Sequence, residues 1–343
     1  MNIAVTRALK IGAAGLIAAI AATSLTGCAK ETTQTTGEQS ITIYSGRSED
    51  LIAPLLEQFS EETGIAVEVR YSDSASLAAQ ILEEGTNIQA DVFFSQDAGA
   101  LGAISEAGAF KTLNQDITSL VDAKYRSTDN TWVGVSGRSR VLSYNPELVA
   151  EADLPKSVFD FADSKWKGKL GIAPTNASFQ SSVTAMRVLA GEEQTIAWLK
   201  ALKKNAVIFE KNSQILEAVE SGQVSAGLIN HYYWYERAAE VGEAKMKSKM
   251  SWFAAGDVGN LINVAGVGVL SDKPEAQTFA KWLLGNSAQT FFVEKTAEYS
   301  LIGLAAKDGL PELSKIAAPQ LDLSALAPLA KTLELIRDAG LTD

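Results

Sequence analysis

The sequence predicts an α/β protein of two lobes, in which each lobe is a mostly parallel sheet flanked by helices. Segments with strand character alternate with segments of helical periodicity along most of the chain, as in βαβ units. The alternation begins near Ile41 and begins again after Pro155, and strand-like stretches lie between and after the two series. Such stretches suit chain crossings between lobes. Two crossings make a hinge, so we expect a cleft that closes on a ligand.

The first series contains three predicted strands separated by two predicted helices. Its third strand is continuously apolar, as in a buried parallel sheet, and Gly85 is a stop signal after the second helix. In chain order the elements are strand 41–45, helix 51–63, strand 65–71, helix 74–84 and strand 90–95.

The second series repeats the alternation and ends in a strand that leads into aromatic residues. Its elements are strand 169–173, helices 178–189, 192–203 and 213–220, and strand 226–230. The stretches 132–136, 140–145 and 261–270 are predicted to be the strands that cross between the lobes. We therefore expect one lobe to comprise residues 40–140 plus about 262–315, and the other residues 141–261 plus about 316–343.

The N-terminal segment 1–27 is typical of a secretory signal. Arg7 and Lys10 precede the apolar run 11–22, and the sequence Leu-Thr-Gly before Cys28 resembles a lipoprotein signal, in which that cysteine is lipidated. An ordinary signal peptide with an incidental cysteine is the alternative. Residues 28–39 are polar and aperiodic, as in a flexible tether. We expect an extracytoplasmic protein attached to a cell-envelope membrane through lipid at Cys28.

Composition narrows the function classes. The formal net charge of −11 argues against nucleic acid as a partner. The chain has one histidine and one cysteine, and it has no glycine-rich phosphate signature at a strand-to-helix junction. These features favour a binding protein, which we expect to be a monomer, over an enzyme.

Two adjacent tyrosines, Tyr232 and Tyr233, follow the predicted strand 226–230. Ligands of open α/β sheets bind outside the carboxyl ends of strands, which favours a site at this place. A free phenol has a pKa of about 10, but a trivalent cation stabilises the phenolate strongly enough to displace the proton. The pair therefore suits ferric iron. The alternative is an aromatic helix start packed into a core.

Six short motifs in order make the chain similar to a known family, the periplasmic ferric-ion-binding proteins, also called bacterial transferrins. The resemblance covers about residues 41–341 and implies the periplasmic-binding-protein fold, Fe³⁺ as cargo, direct ligation by Tyr232 and Tyr233, and the permease of an iron ABC importer as partner. The motifs are Ile-Thr-Ile-Tyr-Ser-Gly-Arg (41–47), Ala-Asp-Val-Phe-Phe-Ser (90–95), Ser-Gly-Arg-Ser-Arg (136–140), Lys-Asn-Ser (211–213), Leu-Ile-Asn-His-Tyr-Tyr-Trp (228–234) and Ala-Glu-Tyr (297–299).

The chain departs from the family pattern in the first lobe. Many members add a histidine after the first strand and a carboxylate after the third, and the matching positions here are Ser48 and Gln96. We expect weak iron contacts or none from these two. His231 is expected to project away from the metal. Glu49 and Asp97 would substitute if the loops were shifted by one residue, but surface solvation is the simpler prediction for both.

The resemblance also implies a synergistic anion, which is carbonate, phosphate or citrate. Arg138 and Arg140 offer planar guanidinium groups that match an anion bidentately, and strand alternation places both on one face with Ser139 on the other. Arg138 is the favoured clamp, with an interlobe ion pair as the alternative. The other residues assigned to the anion pocket are Thr175, Asn176, Ala177, Ser178, Asn212 and Asn230; capping of the helix by Ser178 is compatible with this role.

A rival function is a binding protein for an organic cation or a phosphonate on the same scaffold. The aromatic run 232–235 would then form a box around a cation, and Arg138 would hold a phosphonate. The sequence leaves open which anion is used, whether Fe²⁺ also binds, and whether the iron arrives free or chelated.

Overall fold

The computed structural model describes residues 39–342. The predicted signal peptide, Cys28 and all but the last residue of the predicted tether lie outside this range. Within it, none of the helices combines the length and the apolar character needed to span a bilayer.

The strands of the described chain join in one hydrogen-bonded sheet. They are β1 (Ser40–Ser45), β2 (Ala66–Tyr71), β3 (Val92–Ser95), β4 (Trp132–Tyr144), β5 (Leu170–Ile172), β6 (Ala206–Ile208), β7 (Ala226–Asn230), β8 (Lys249–Ser251), β9 (Ile262–Val269) and β10 (Tyr299–Ser300). The main path runs β2-β1-β3-β9-β4-β7-β5-β6, and β8 and β10 pair with β4 off this path.

The two ends of the sheet are parallel and its middle is antiparallel. At one end β1 is parallel to β2 and β3, and at the other β5 is parallel to β6 and β7. Between them β9 and β4 are antiparallel to each other and to their outer neighbours β3 and β7. This arrangement is the two-lobed α/β binding-protein fold predicted from the sequence.

Helices cover both lobes of this sheet. They are α1 (Glu49–Thr63), α2 (Ser74–Glu84), α3 (Ala98–Glu106), α4 (Gln115–Thr118), α5 (Ala177–Ala190), α6 (Glu192–Asn205), α7 (Asn212–Glu220), α8 (His231–Val241), α9 (Pro274–Trp282), α10 (Asn286–Glu294) and α11 (Leu329–Asp338). The predicted bounds of α2 and β7 are confirmed, and most other predicted elements differ from the structure by one or two residues.

Strand β4 joins the lobes as one continuous element. The sequence predicts two strands, 132–136 and 140–145, but the structure has a single strand with a register shift between Gly134 and Ser136. Its residues up to Ser139 pair with β9, and its residues from Arg140 onward pair with β7. The prediction of two separate strands is therefore wrong, and the residue limits of the lobes stay a prediction.

Strand β7 carries the chain into the candidate site. All five of its residues are buried, and α8 begins directly after its last residue, Asn230, whose backbone is still extended. Gly227 lets α7 pack closely on β7, because a Cβ atom at this position would overlap the Cγ2 atom of Ile215. The packing of α7 thus fixes where the first turn of α8 lies.

Candidate metal and anion site

A cavity of about 710 Å³ lies at the carboxyl ends of the parallel strands and is lined from both halves of the sheet. One side comes from the segments after β1 and β3, which include Ser48 and Gln96. The other side comes from the first turns of α5 and α8, which include Asn176, Tyr232 and Tyr233. The predicted metal ligands and the two first-lobe positions thus meet in one space.

The tyrosine pair occupies the first turn of α8. Tyr232 is 2% exposed, and its hydroxyl accepts hydrogen bonds from Gln96 Nε2 at 3.1 Å and from Asn230 Nδ2 at 3.5 Å. The ring centroids of Tyr232 and Tyr233 lie 4.4 Å apart, and the planes of the two rings are inclined at 32° to each other. Trp234 packs in the core beside them, with its indole N–H donated to Ser248 O. The aromatic run is therefore partly core, while its two tyrosines line the cavity.

The electrostatic setting of Tyr233 keeps its phenol protonated at neutral pH. Burial raises the pKa of Tyr233 well above its usual value, and the neighbouring phenol of Tyr232 and the Glu236 carboxylate raise the pKa further. A hydrogen bond with Asn212 partly opposes this shift. A ligand that binds the phenolate must supply enough positive charge to remove the proton.

Arg138 and Arg140 project from the same face of β4, as strand alternation predicts. Arg138 Nε donates to Ser178 Oγ at 3.3 Å, and Arg140 donates to Asn230 Oδ1 at 3.3 Å and to Leu228 O at 3.0 Å. Asn230 Nδ2 in turn donates to Ser178 Oγ at 2.9 Å.

The two guanidinium groups differ in how far they are satisfied. Both terminal nitrogens of Arg138 are buried without a partner. Burial lowers the pKa of Arg140 to about 10, and the charge of Arg138 contributes. Both terminal nitrogens of Arg140 donate hydrogen bonds, so this arginine links β4 to β7. The terminal nitrogens of Arg138 remain available to donate to a ligand.

The N-terminus of α5 supplies further polar groups to the cavity. Asn176 caps this helix by accepting from Ser178 N–H at 3.0 Å and also accepts from Asn212 Nδ2 at 3.2 Å. Thr175 and Ala177 line the cavity beside it. Of the residues predicted for the anion pocket, Thr175, Asn176 and Ala177 line the cavity. The others are buried next to this helix start and joined to it by hydrogen bonds.

Three residues considered from the sequence do not face the tyrosine hydroxyls. His231 is fully buried, its Nδ1 accepts from Ser139 N–H at 3.2 Å, and its Nε2–H donates to Ala297 O at 2.7 Å. Asp97 is buried and caps α3, so the prediction of surface solvation is wrong for it. Glu49 is exposed at the start of α1 and does not line the cavity.

Sequence reasoning missed Arg47, which lines the cavity in the loop after β1. Its terminal nitrogens donate to both oxygens of Glu298, at 3.0 and 2.6 Å, and neither side chain of the pair has any exposed surface. Ser136 and Thr296 also donate to Glu298. Both partners fall in motifs that carry the family resemblance, but they are 251 positions apart in the chain, so local sequence gives no sign of the pairing.

The donor set defines what the cavity can bind. Among residues 39–342 no three His, Cys, Asp or Glu side chains cluster to hold a metal. The cavity lining instead offers two phenol oxygens, the guanidinium group of Arg47 and separate carboxylates such as Asp50 and Glu236, and Arg138 lies buried behind the lining. Hard oxygen donors suit a highly charged cation, and guanidinium groups suit an oxyanion. Fold and site together define a two-lobed solute-binding protein.

Comparisons with known proteins identify the family. Residues 55–305 match the bacterial extracellular solute-binding protein family. The chain is 34% identical to the Fe(3+)-binding periplasmic protein of Serratia marcescens over 338 residues, covering 97% of this chain and 99% of the relative. It is 34% identical to the major ferric iron-binding protein of Neisseria meningitidis over 307 residues, covering 88% of this chain and 93% of the relative.

Solved structures agree with the sequence relatives. The crystal structure of iron-bound HitA from Pseudomonas aeruginosa is 34% identical, with a TM-score of 0.84, and the match covers 88% of this chain and 99% of HitA. A Trichodesmium protein in complex with iron and citrate is 27% identical, with a TM-score of 0.71, and the match covers 88% of this chain and all of that one. The chain therefore belongs to the periplasmic ferric-ion-binding proteins, which are solute-binding proteins of transport systems and not enzymes.

Proposed function

We propose that this chain captures ferric iron outside the cytoplasm and delivers it to the permease of an ABC importer. The observation that carries the proposal is the pair of adjacent phenols, Tyr232 and Tyr233, lining a cavity to which both halves of the sheet contribute. The names of relatives that span nearly the whole chain support the same cargo. Iron is bound here as cargo and leaves unchanged.

The two phenolates are the main protein ligands of the iron. Ferric iron displaces the phenol protons and leaves a centre with one net positive charge and open coordination positions. Ser48 and Gln96 face the same cavity but carry no charge. Ser48 and Gln96 therefore contribute weak contacts to the iron at most, and an anion completes the coordination.

The anion is carbonate, phosphate or citrate, and Arg138 is its main clamp. Both terminal nitrogens of this buried arginine lack hydrogen-bond partners. Its Nε donates to Ser178 at the start of α5, and Ser178 also accepts from Asn230 at the end of β7. A planar guanidinium group donates two parallel hydrogen bonds to an oxyanion. The Trichodesmium relative, which was solved with iron and citrate together, supports an anion of this class.

Delivery requires that the protein stay near its permease. Cys28, which follows the signal-like segment 1–27, would carry the lipid that holds the chain at a cell-envelope membrane. The polar residues after it would form a flexible linker that lets the folded part move away from the membrane surface toward the permease. The periplasmic names of the relatives support the compartment.

Replacing both Tyr232 and Tyr233 by phenylalanine tests this function. We expect the double variant to lose ferric binding and the visible phenolate-to-iron absorption band, with an unchanged circular dichroism spectrum because only two oxygen atoms are removed. Tyr235→Phe, a change on the same helix outside the cavity lining, is the matched control and should keep both. Undiminished iron affinity in the double variant would refute the assignment.

The rival cargo is an organic cation or a phosphonate. The free nitrogens of Arg138 would hold phosphonate oxygens as well as carbonate. Titration with ferric citrate, with and without bicarbonate, separates the two cases because only ferric cargo gives the phenolate band.

A further inference from the structure

Three guanidinium nitrogens beside the cavity have no hydrogen-bond partner. They are Nε of Arg47 and both terminal nitrogens of Arg138. Both arginines are only 1% exposed. A buried donor without an acceptor costs free energy, and a buried charge without full compensation costs more. An oxyanion at this place would reduce both costs.

The two arginines lie over the same face of β4. The Glu298 carboxylate that holds Arg47 also accepts from Ser136 Oγ at 3.2 Å. Ser136 and Arg138 are two positions apart on the strand, so their side chains share a face and their Cα atoms are roughly 7 Å apart. Beyond Arg138 on this face lies Ser178 of α5. Arg47 therefore approaches Arg138 from the first-lobe side, and it lines the same cavity as Thr175, Asn176 and Ala177 of the predicted anion pocket.

The charges of the two groups interact. Burial lowers the pKa of Arg138, and the positive charge of Arg47 lowers it further. Burial alone would lower the pKa of Arg47, but the Glu298 carboxylate and the hydroxyls of Tyr232 and Tyr233 together outweigh burial and raise this pKa above its ordinary value. The Asp97 and Glu298 carboxylates offset part of this positive charge. An anion beside the unpartnered nitrogens would offset more of it and would also accept their hydrogen bonds.

We propose that Arg47 is the second arm of the anion site, opposite Arg138, and that the site takes an oxyanion with at least three oxygen atoms. The inference rests on the proposed ferric function, because one oxygen must reach the iron while the others accept from the two arginines. Carbonate, phosphate and citrate meet this requirement. Acetate has a single edge of two oxygens, so two parallel hydrogen bonds to one arginine leave no second edge for the other arginine.

This role explains what the first lobe contributes in a chain that has Ser48 and Gln96 where many relatives have charged or basic ligands. The first lobe binds the anion through Arg47 rather than the metal through a side chain of its own. Glu298 is a positioning residue, because it acts by holding the guanidinium group of Arg47 in place.

Two variants test the proposal. The first variant combines Arg47→Gln with Glu298→Gln and so removes both charges of the buried pair. Replacing Arg47 alone would leave the Glu298 carboxylate buried without its partner, which is strongly destabilising. Arg138→Gln removes the other arm. Arg187→Gln is the matched control. This arginine of α5 donates to Pro328 O, just before α11, and to Glu192 at the start of α6, and it lies outside the cavity lining.

Two measurements are made on each variant. Calorimetry measures phosphate binding to the metal-free protein, and the phenolate band measures iron loading as a function of carbonate concentration. We expect each arm's removal to weaken phosphate binding and to raise the half-saturating carbonate concentration by about tenfold or more, the effect of one charge-assisted hydrogen bond. We expect acetate to support no loading in the wild-type protein.

The outcomes are distinct. If the paired glutamine variant folds, binds phosphate as the wild type does and needs no more carbonate, Arg47 is not an arm of the site. Loading with acetate equal to loading with carbonate would overturn the three-oxygen requirement. Phosphate binding to the metal-free protein involves no tyrosinate, so it reports on Arg47 even if the Tyr232 and Tyr233 double variant were to refute the ferric function.

Discussion

At the scale of single residues, the proposed ligation of iron by tyrosinates predicts that metal capture releases protons. Burial, with the neighbouring phenol of Tyr232 and the carboxylate of Glu236, raises the pKa of Tyr233. The metal-free phenol therefore holds its proton at neutral pH, and in the proposed site ferric iron must displace this proton. Because protons and iron compete for the same oxygen, lowering the pH weakens binding and raising it strengthens binding.

Tyr233→Phe is expected to release one proton fewer than the wild type for each ferric ion bound at neutral pH. The reason is that the variant keeps the ring but has no phenol to ionise. Calorimetric titrations with one iron source in two buffers of different ionisation enthalpy count the protons. Tyr235→Phe should release as many as the wild type, and an equal count for Tyr233→Phe would show that this oxygen does not bind iron as phenolate.

Single residues also show what sequence alone can predict about the site. Tyr232, Tyr233 and Arg138 stand at strand ends or on an alternating strand, so the chemistry of each type and its place in the pattern predict where they lie. Arg47 could not be found in this way. Its place depends on Glu298, which is 251 positions away, and only the folded chain brings the two together.

At the scale of elements, the position of the tyrosine pair depends on how α7 packs against β7. Gly227 has no side chain, and the fully buried Ile215 of α7 fills the space that a Cβ atom would take. A glycine inside a strand often marks such a close approach. The start of α8, which follows β7 without a loop, is held in place by this contact.

Gly227→Ala is expected to lower the free energy of unfolding by about 1–3 kcal/mol, the usual cost of overpacking a core. The added methyl group overlaps Ile215 Cγ2, so α7 or β7 must shift. Adding Ile215→Ala removes the overlapping atoms, and the double variant should therefore be more stable than the sum of the two single effects predicts. Chemical denaturation measures both, and strict additivity would contradict a direct clash.

Elements differ in how well local sequence predicts them. Helix α2 has clear local signals, which are the cap residue Asp73 and the stop at Gly85. The local signal of strand β7 is its short apolar run. Local sequence predicts strand β4 as two pieces because glycine and arginine interrupt its apolar pattern. Its middle is strand because β9 and β10 pair with it there, and such partners come from distant parts of the chain.

At the scale of the whole molecule, a hydrogen bond between Gln96 and Tyr232 joins the two halves of the sheet across the cavity. Gln96, at the end of β3, donates its amide hydrogen to the Tyr232 hydroxyl at the start of α8, at 3.1 Å. This contact joins the first lobe to a proposed iron ligand on the second. A charged group at the same position would therefore reach an ion bound by the tyrosine pair.

Gln96→Glu is expected to raise ferric affinity by about tenfold or more, which corresponds to roughly 1.4 kcal/mol. The carboxylate would offset the positive charge that two phenolates leave on the ion and would occupy a coordination position otherwise given to the anion. The half-saturating carbonate concentration should therefore fall. Competition with citrate, followed by the phenolate band, measures the affinity.

Gln96→Leu separates charge from contact in this test. It removes the amide that meets Tyr232 without adding a negative charge, so we expect it to give no gain in affinity and no change in the need for carbonate. If the leucine variant gained as much as the glutamate variant, loss of the amide contact would account for the effect. If neither gained, the first lobe would not approach the bound ion closely enough for a carboxylate there to act as a ligand, and the anion held by Arg138 would be the main link between the lobes.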